Sequence, residues 1–368
     1  MKKRLFWAFC CMMALSLSAI AQTDDDGLAY FKERIKTLSS DEFGGRKPLT
    51  EYETKTINYI ADEFKKLGLE PANNGSYFQP VKEIATFTRP QGNKIAVKGA
   101  KGKTEQQFAD DIVIWTNRGQ EKVVIPNTDY VFVGFGINAP EYNWNDYEGV
   151  DVKGKIVIAM VNDPGFYDAK LFRGKNMTYY GRWTYKHEEA ERQGAAGCLV
   201  LHNEAAASYG WKVCQSSHVQ NNIGLCDETM NASAIAMKGW LAEEACRRIF
   251  QVSGVNFDET IAAAKQPCFK SFTLKEKSKV PLHVKMSVGE SINVAAVLPG
   301  TDLKDEYLVC TAHWDHFGIG TPVNGDSIYN GASDNASGVA ALMWLARKYQ
   351  QSPVHPRRSI VFVAVTSE

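Results

Sequence analysis

The sequence predicts an α/β protein, and three observations carry that expectation. Two short apolar segments, residues 308–312 and 359–365, flank a helical stretch in which Val339, Leu342, Met343, Ala346 and Tyr349 fall on one face. A second strand–helix–strand alternation runs through residues 155–160, 186–193 and 195–201. The composition, 44% hydrophobic and 23% charged over 368 residues, allows a sizeable core and, at ~150 residues per domain, two domains. It excludes a disordered chain, a collagen-like fibre and a small disulfide-stapled scaffold.

By pattern the chain opens on an export signal. Lys2, Lys3 and Arg4 precede an apolar stretch over residues 5–17, and Ala19-Ile20-Ala21 offers a small-x-small cleavage site before Gln22. The apolar run is shorter than the ~20 residues of a membrane span, and no later segment reaches that length. The expectation is an exported protein, periplasmic or extracellular, with no membrane attachment after cleavage. Lys plus Arg and Asp plus Glu both total 42; removing the three basic residues of the signal leaves 39 against 42. No basic field points to nucleic acid.

Thr50 and Glu53 form a capping box for a helix over residues 50–68, with Ile57, Ile60, Phe64 and Leu67 on one face and Gly68 as its stop. The polar stretch before it, residues 39–46, reads as a loop, and residues 81–125 read as short strands broken by Gly, Pro and Lys-Gly pairs. Between residues 130 and 279, buried strands at 131–136, 155–160 and 195–201 suggest a compact insert rather than a linker. Five of the eight cysteines, Cys198, Cys214, Cys226, Cys246 and Cys268, crowd there without a C-x-x-C zinc knot. Cys214 and Cys226 bracket a polar loop, either as a disulfide or as free buried thiols.

The chemistry gathers near the end. The strand at 308–312 delivers His313-Trp314-Asp315-His316, and a Gly/Asn-rich loop leads to Asp334-Asn335-Ala336-Ser337-Gly338 at the start of a helix. The strand at 359–365 then runs into Thr366-Ser367-Glu368. Ligand sites in open α/β sheets lie beyond the carboxyl ends of the strands, so His313, Asp334 and Glu368 can converge on one sheet edge. Imidazole with carboxylates and no thiolate suits zinc or a similar divalent ion in a hydrolytic site. Asp315, two residues on in an extended segment, points the same way as His313 and can orient its imidazole. Singly, each residue has a plainer reading. Asp334 or Asn335 caps a helix, His313 is a hydrogen-bonded strand end, His316 is a loop or pocket residue, and Glu368 is a terminal acid.

In that order the motifs resemble those of the two-zinc exopeptidases of the leucyl aminopeptidase and glutamate carboxypeptidase family, whose relatives include glutaminyl cyclases. Residues 311–316 are similar to the family's first ligand motif, 331–338 to its bridging-aspartate motif, and 366–368 to the start of its double-glutamate motif. The resemblance implies a zinc-exopeptidase fold, a three-layer sheet with helices on both faces, interrupted by a β-rich protease-associated domain. It implies a signal at 1–21, peptidase-domain parts at 22–125 and 285–368, and the insert at 126–284. It implies His313 as ligand to one Zn2+, Asp334 as bridge between two, and Glu368 as general base toward a metal-activated water. The implied activity is that of an exported aminopeptidase acting on the N-terminal residues of peptides.

The family places a second glutamate directly after the base, then an aspartate and a histidine further on; none of these stands in this sequence. His187, His202, His218, His283 and His355 are not in contexts that replace them. The resemblance thus implies a C-terminally truncated chain, inactive as it stands. Two other functions stay open: a glutaminyl cyclase-like zinc transferase, and a non-catalytic binding protein on the same fold. Retention of His313, Asp334 and Glu368 together argues against a pure binder, and the absence of a G-x-S-x-G elbow argues against a serine hydrolase.

Overall fold

The computed structural model describes residues 26–368, so the expected export signal lies outside the described residues. Contacts divide the chain into two compact units, Met1–Lys82 with Glu290–Glu368, and Glu83–Gly289. Both are mixed α/β. No described helix is long and apolar enough to cross a membrane.

In the first unit, the strand Leu303–His313 runs parallel to Arg358–Val365, with His313 level with Val365. The helix Ser337–Gln350 makes the crossover between them. Arg358–Val365 pairs on its other side, antiparallel, with residues 294–298, and Glu70–Pro71 extends the sheet beyond those. The helix Glu51–Lys66 and the crossover helix share one core, built on Ile60, Phe64, Leu342, Met343, Ile360 and Phe362. Apolar residues three and four apart on each helix supply that face. Gly68, with φ +76°, ends the first helix as expected.

The expected capping box does not form. The Thr50 hydroxyl donates to the Lys47 carbonyl, and Glu53 accepts from the Leu49 N–H and from the Ser291 hydroxyl. Glu53 therefore ties the helix start to the sheet instead of closing a local box. The stretch expected as a loop at 39–46 includes a tight turn of 3₁₀ helix, Asp41–Arg46.

The second unit is built on four parallel strands. Residues 130–132 pair with Ile156–Met160, which pairs with Gly197–Leu201, which pairs with Met237–Leu241. The middle two strands are buried along their whole length, which explains their unbroken apolar sequence. The helix Trp183–Arg192 connects them and stops before Gly194, at φ +80°. This unit is longer than the insert expected at 126–284. Ile112–Trp115 pairs with Met237–Leu241, and Lys94–Gly99 pairs with the strand Phe272–Leu298 at Lys98 and Gly99. Long-range pairing thus carries residues 83–125 into this unit. Cys214 and Cys226 are free buried thiols, and no disulfide forms among the described residues.

Candidate active site

His313 stands at the C-terminal end of its strand, and the chain leaves the sheet there because the Trp314 N–H closes the pairing on the Val365 carbonyl. The Trp314 indole is fully buried and donates to the Ile292 carbonyl, which fixes the direction of the following loop. Asp334 is brought back to the same strand end by the turn Ala332–Ala336 that opens the crossover helix. Asn335 holds this turn by donating to the His313 carbonyl and accepting from the Gly338 N–H. Glu368 follows the neighbouring strand, after Ser367 in a left-handed conformation at φ +57°, and its N–H donates to Asp315 Oδ1.

The side chains meet. His313 Nε2 lies 3.1 Å from Asp334 Oδ1, and His316 Nδ1 lies 3.7 Å from Asp334 Oδ2. On the other side of its ring, His313 Nδ1 faces the Asp315 carbonyl at 3.2 Å and Asp315 Oδ1 at 3.6 Å. Burial of His313 works to lower its pKa. The hydrogen bond and charge of Asp315, with the charges of Glu368 and Asp334, outweigh burial and raise it. His316 goes the other way, lowered by burial and by the nearby Arg46 against the pull of Asp334.

Sequence reasoning missed Arg46. Its guanidinium is fully buried and donates to the carbonyls of Trp314, Leu38, Asn330 and Gly331, at 2.6 to 2.8 Å. It thereby clamps the loop after His313 to the loop before Asp334. Burial lowers its pKa to about 10, opposed by the charges of Asp315 and Asp334. The available signal was Gly44-Gly45-Arg46: all three have positive φ, and a Cβ on Gly45 would lie 2.5 Å from the Tyr329 carbonyl. The remaining histidines named above as outside the motifs are elsewhere. Of those in the second unit, His218 stacks on Trp115 at 3.9 Å, and His187 contacts the Gly239 carbonyl.

The donor chemistry fits part of a divalent metal site. His313 Nε2 and Asp334 Oδ1 are near the separation of two donors around one ion bound at ~2.0–2.2 Å, and Asp315 occupies the other imidazole nitrogen. No group of three or more His, Cys, Asp or Glu among the described residues completes a ligand set.

The cluster lies beyond the carboxyl ends of two parallel strands, where ligand sites of α/β sheets gather. The stretch that carries it, residues 293–368, matches the profile described as Peptidase family M28. Among solved structures, the chain is similar to an aminopeptidase from Aneurinibacillus sp. strain AM-1, with 18% identity over 91% of this chain and 61% of that one, at a TM-score of 0.41. It is also similar to a zinc aminopeptidase from Bacillus subtilis, with 16% identity, 91% and 60% coverage and a TM-score of 0.39. A third likeness is to a Peptidase M28 precursor from Shewanella amazonensis SB2B, with 15% identity, 93% and 67% coverage and a TM-score of 0.40. This chain spans 61% and 60% of the length of the first two.

Proposed function

We propose that the chain carries the principal site residues of an exported, zinc-dependent aminopeptidase. The observation that carries this reading is the His313–Asp334 contact at 3.1 Å, backed by Asp315, whose Oδ1 also accepts from the Glu368 N–H. His313 and Asp334 are the residues that would hold zinc. When bound, zinc polarises the scissile carbonyl and activates the attacking water near neutral pH. Asp315 holds the His313 ring so that Nε2 keeps its lone pair for the ligand position. Glu368 acts as base toward the attacking water and returns the proton to the leaving amine. Peptides are the substrates, and the second unit is a protease-associated domain that supplies no ligand. Export follows from the leader, and a mature chain beginning at Gln22 is its check.

The test is hydrolysis of a panel of aminoacyl-arylamides and their N-acetylated counterparts by the protein expressed from its natural reading frame. The reading expects cleavage of the free-amine substrates only, abolished by chelator and restored by zinc. Cleavage of both sets, or chelator-resistant turnover, contradicts it.

A further inference from the structure

The second unit's portion of the strand Phe272–Leu298 carries a row of cations. Buried and exposed residues alternate along it, and Lys275, Lys277, Lys279, His283 and Lys285 all fall on the exposed side. The three lysines follow one another on that exposed side, in a segment whose pairing with the strand Lys122–Phe132 shifts register between Leu274 and Lys277 and again between Ser278 and Val280. On the neighbouring strand, Lys98 stands directly opposite Lys277, a like-charge pair that is unfavourable by itself. Lys277 meets Asp129 at 3.6 Å, and no carboxylate lies within ion-pair distance of Lys98, Lys275 or Lys279 among the described residues. The adjoining hairpin solves the same problem in the ordinary way: Glu105 sits between Lys94 at 2.6 Å and Lys103 at 2.7 Å. Glu276 offers the row no compensation. It turns inward, and burial raises its pKa to about 8 against a hydrogen bond from Ser253. Lys98, Lys275, Lys277 and Lys279 border an open cleft of about 870 Å³.

We propose that this cleft binds an extended, acidic peptide segment. Alternate side chains of an extended peptide lie on one face, so Asp or Glu at every second position presents a row of carboxylates to Lys275, Lys277 and Lys279. Lys98 reaches the same row of carboxylates from the neighbouring strand. Complementarity of this kind fixes register and speeds encounter more than it adds affinity. Anionic bilayers and acidic polysaccharides are the competing occupants of a cationic row. The inference does not depend on the proposed catalytic reading.

The experiment titrates the full chain into a fluorescein-labelled peptide of alternating Ser and Glu, with anisotropy read at low and physiological salt. A peptide of the same composition with its Glu residues in one block is the comparison. The alternating peptide is expected to bind more tightly than the block, and salt is expected to weaken it. K275Q/K277Q/K279Q should weaken it about tenfold. Replacing Lys153, Lys170 and Lys175, exposed elsewhere in the unit, should leave it unchanged. All six positions are exposed, so both variants should keep the wild-type circular dichroism. Equal binding of the two peptides, equal weakening by the two triple variants, or binding only of heparin or anionic vesicles overturns the proposal.

Discussion

Arg46 has no exposed surface, and its guanidinium is committed to four backbone carbonyls. Removing it leaves those carbonyls unpaired between the two loops that carry His313 and Asp334. Arg46→Met is expected to cost roughly 3–5 kcal/mol of stability in urea unfolding. A loss below about 1 kcal/mol would mean that the loops do not depend on the clamp. Asp315 acts on a single ring. Its hydrogen bond and charge oppose the burial that lowers the His313 pKa, so Asp315→Asn should lower that pKa, read from the ring resonances by NMR. An unchanged titration would remove Asp315 from the role of orienting group. These two residues differ in how legible they were. Asp315 showed itself by alternation with His313, whereas Arg46 bonds to main-chain carbonyls, which leave no trace in side-chain spacing.

The strand Phe272–Leu298 carries a pH-dependent liability at Glu276. Its folded pKa, raised by burial to about 8, lies above the ~4.3 of an unfolded glutamate, so the folded state holds the proton longer. Stability should therefore fall as pH rises between those two values, by on the order of a few kcal/mol, and Glu276→Gln should flatten the dependence. Equal slopes for wild type and variant in urea unfolding at pH 5 and pH 8 would refute this. Among the described residues the strand Leu303–His313 pairs on one side only, with Arg358–Val365, and exposes Tyr307, Leu308 and Val309. An open apolar edge of this kind invites pairing with another chain. Leu308→Lys with Val309→Lys should shift the 368-residue chain toward monomer in sedimentation velocity. No change would show that the edge takes no part in association.

Elements with strong patterns were readable in advance. The buried strands Ile156–Met160 and Gly197–Leu201 and the helix Ser337–Gln350 announce themselves by unbroken or periodic apolar residues. The capping box was not, because Ser291 and Leu49 compete for the Glu53 carboxylate. At the scale of the whole molecule, the limits of the two units were the least legible feature. Residues 83–125 have the short-strand pattern of either unit, and they join the second through partners more than a hundred residues away, such as Trp240 opposite Val113. The convergence of His313 and Asp334 was more legible than the limits of the units because the two sit at a strand end and at a helix start, where one-dimensional order maps directly onto one edge of a sheet.

In the proposed function His313 and Asp334 hold metal while Glu368 moves a proton. The most direct measurement is zinc content and turnover in the same preparations of wild type, His313→Ala, Asp334→Ala and Glu368→Gln, each expressed from the natural reading frame. The first two variants should lose zinc and activity together. Glu368→Gln should keep its zinc while turnover falls by ~10²–10⁴, since a base is lost and a ligand is not. Wild-type turnover in Glu368→Gln, or full zinc in His313→Ala, would contradict the assignment.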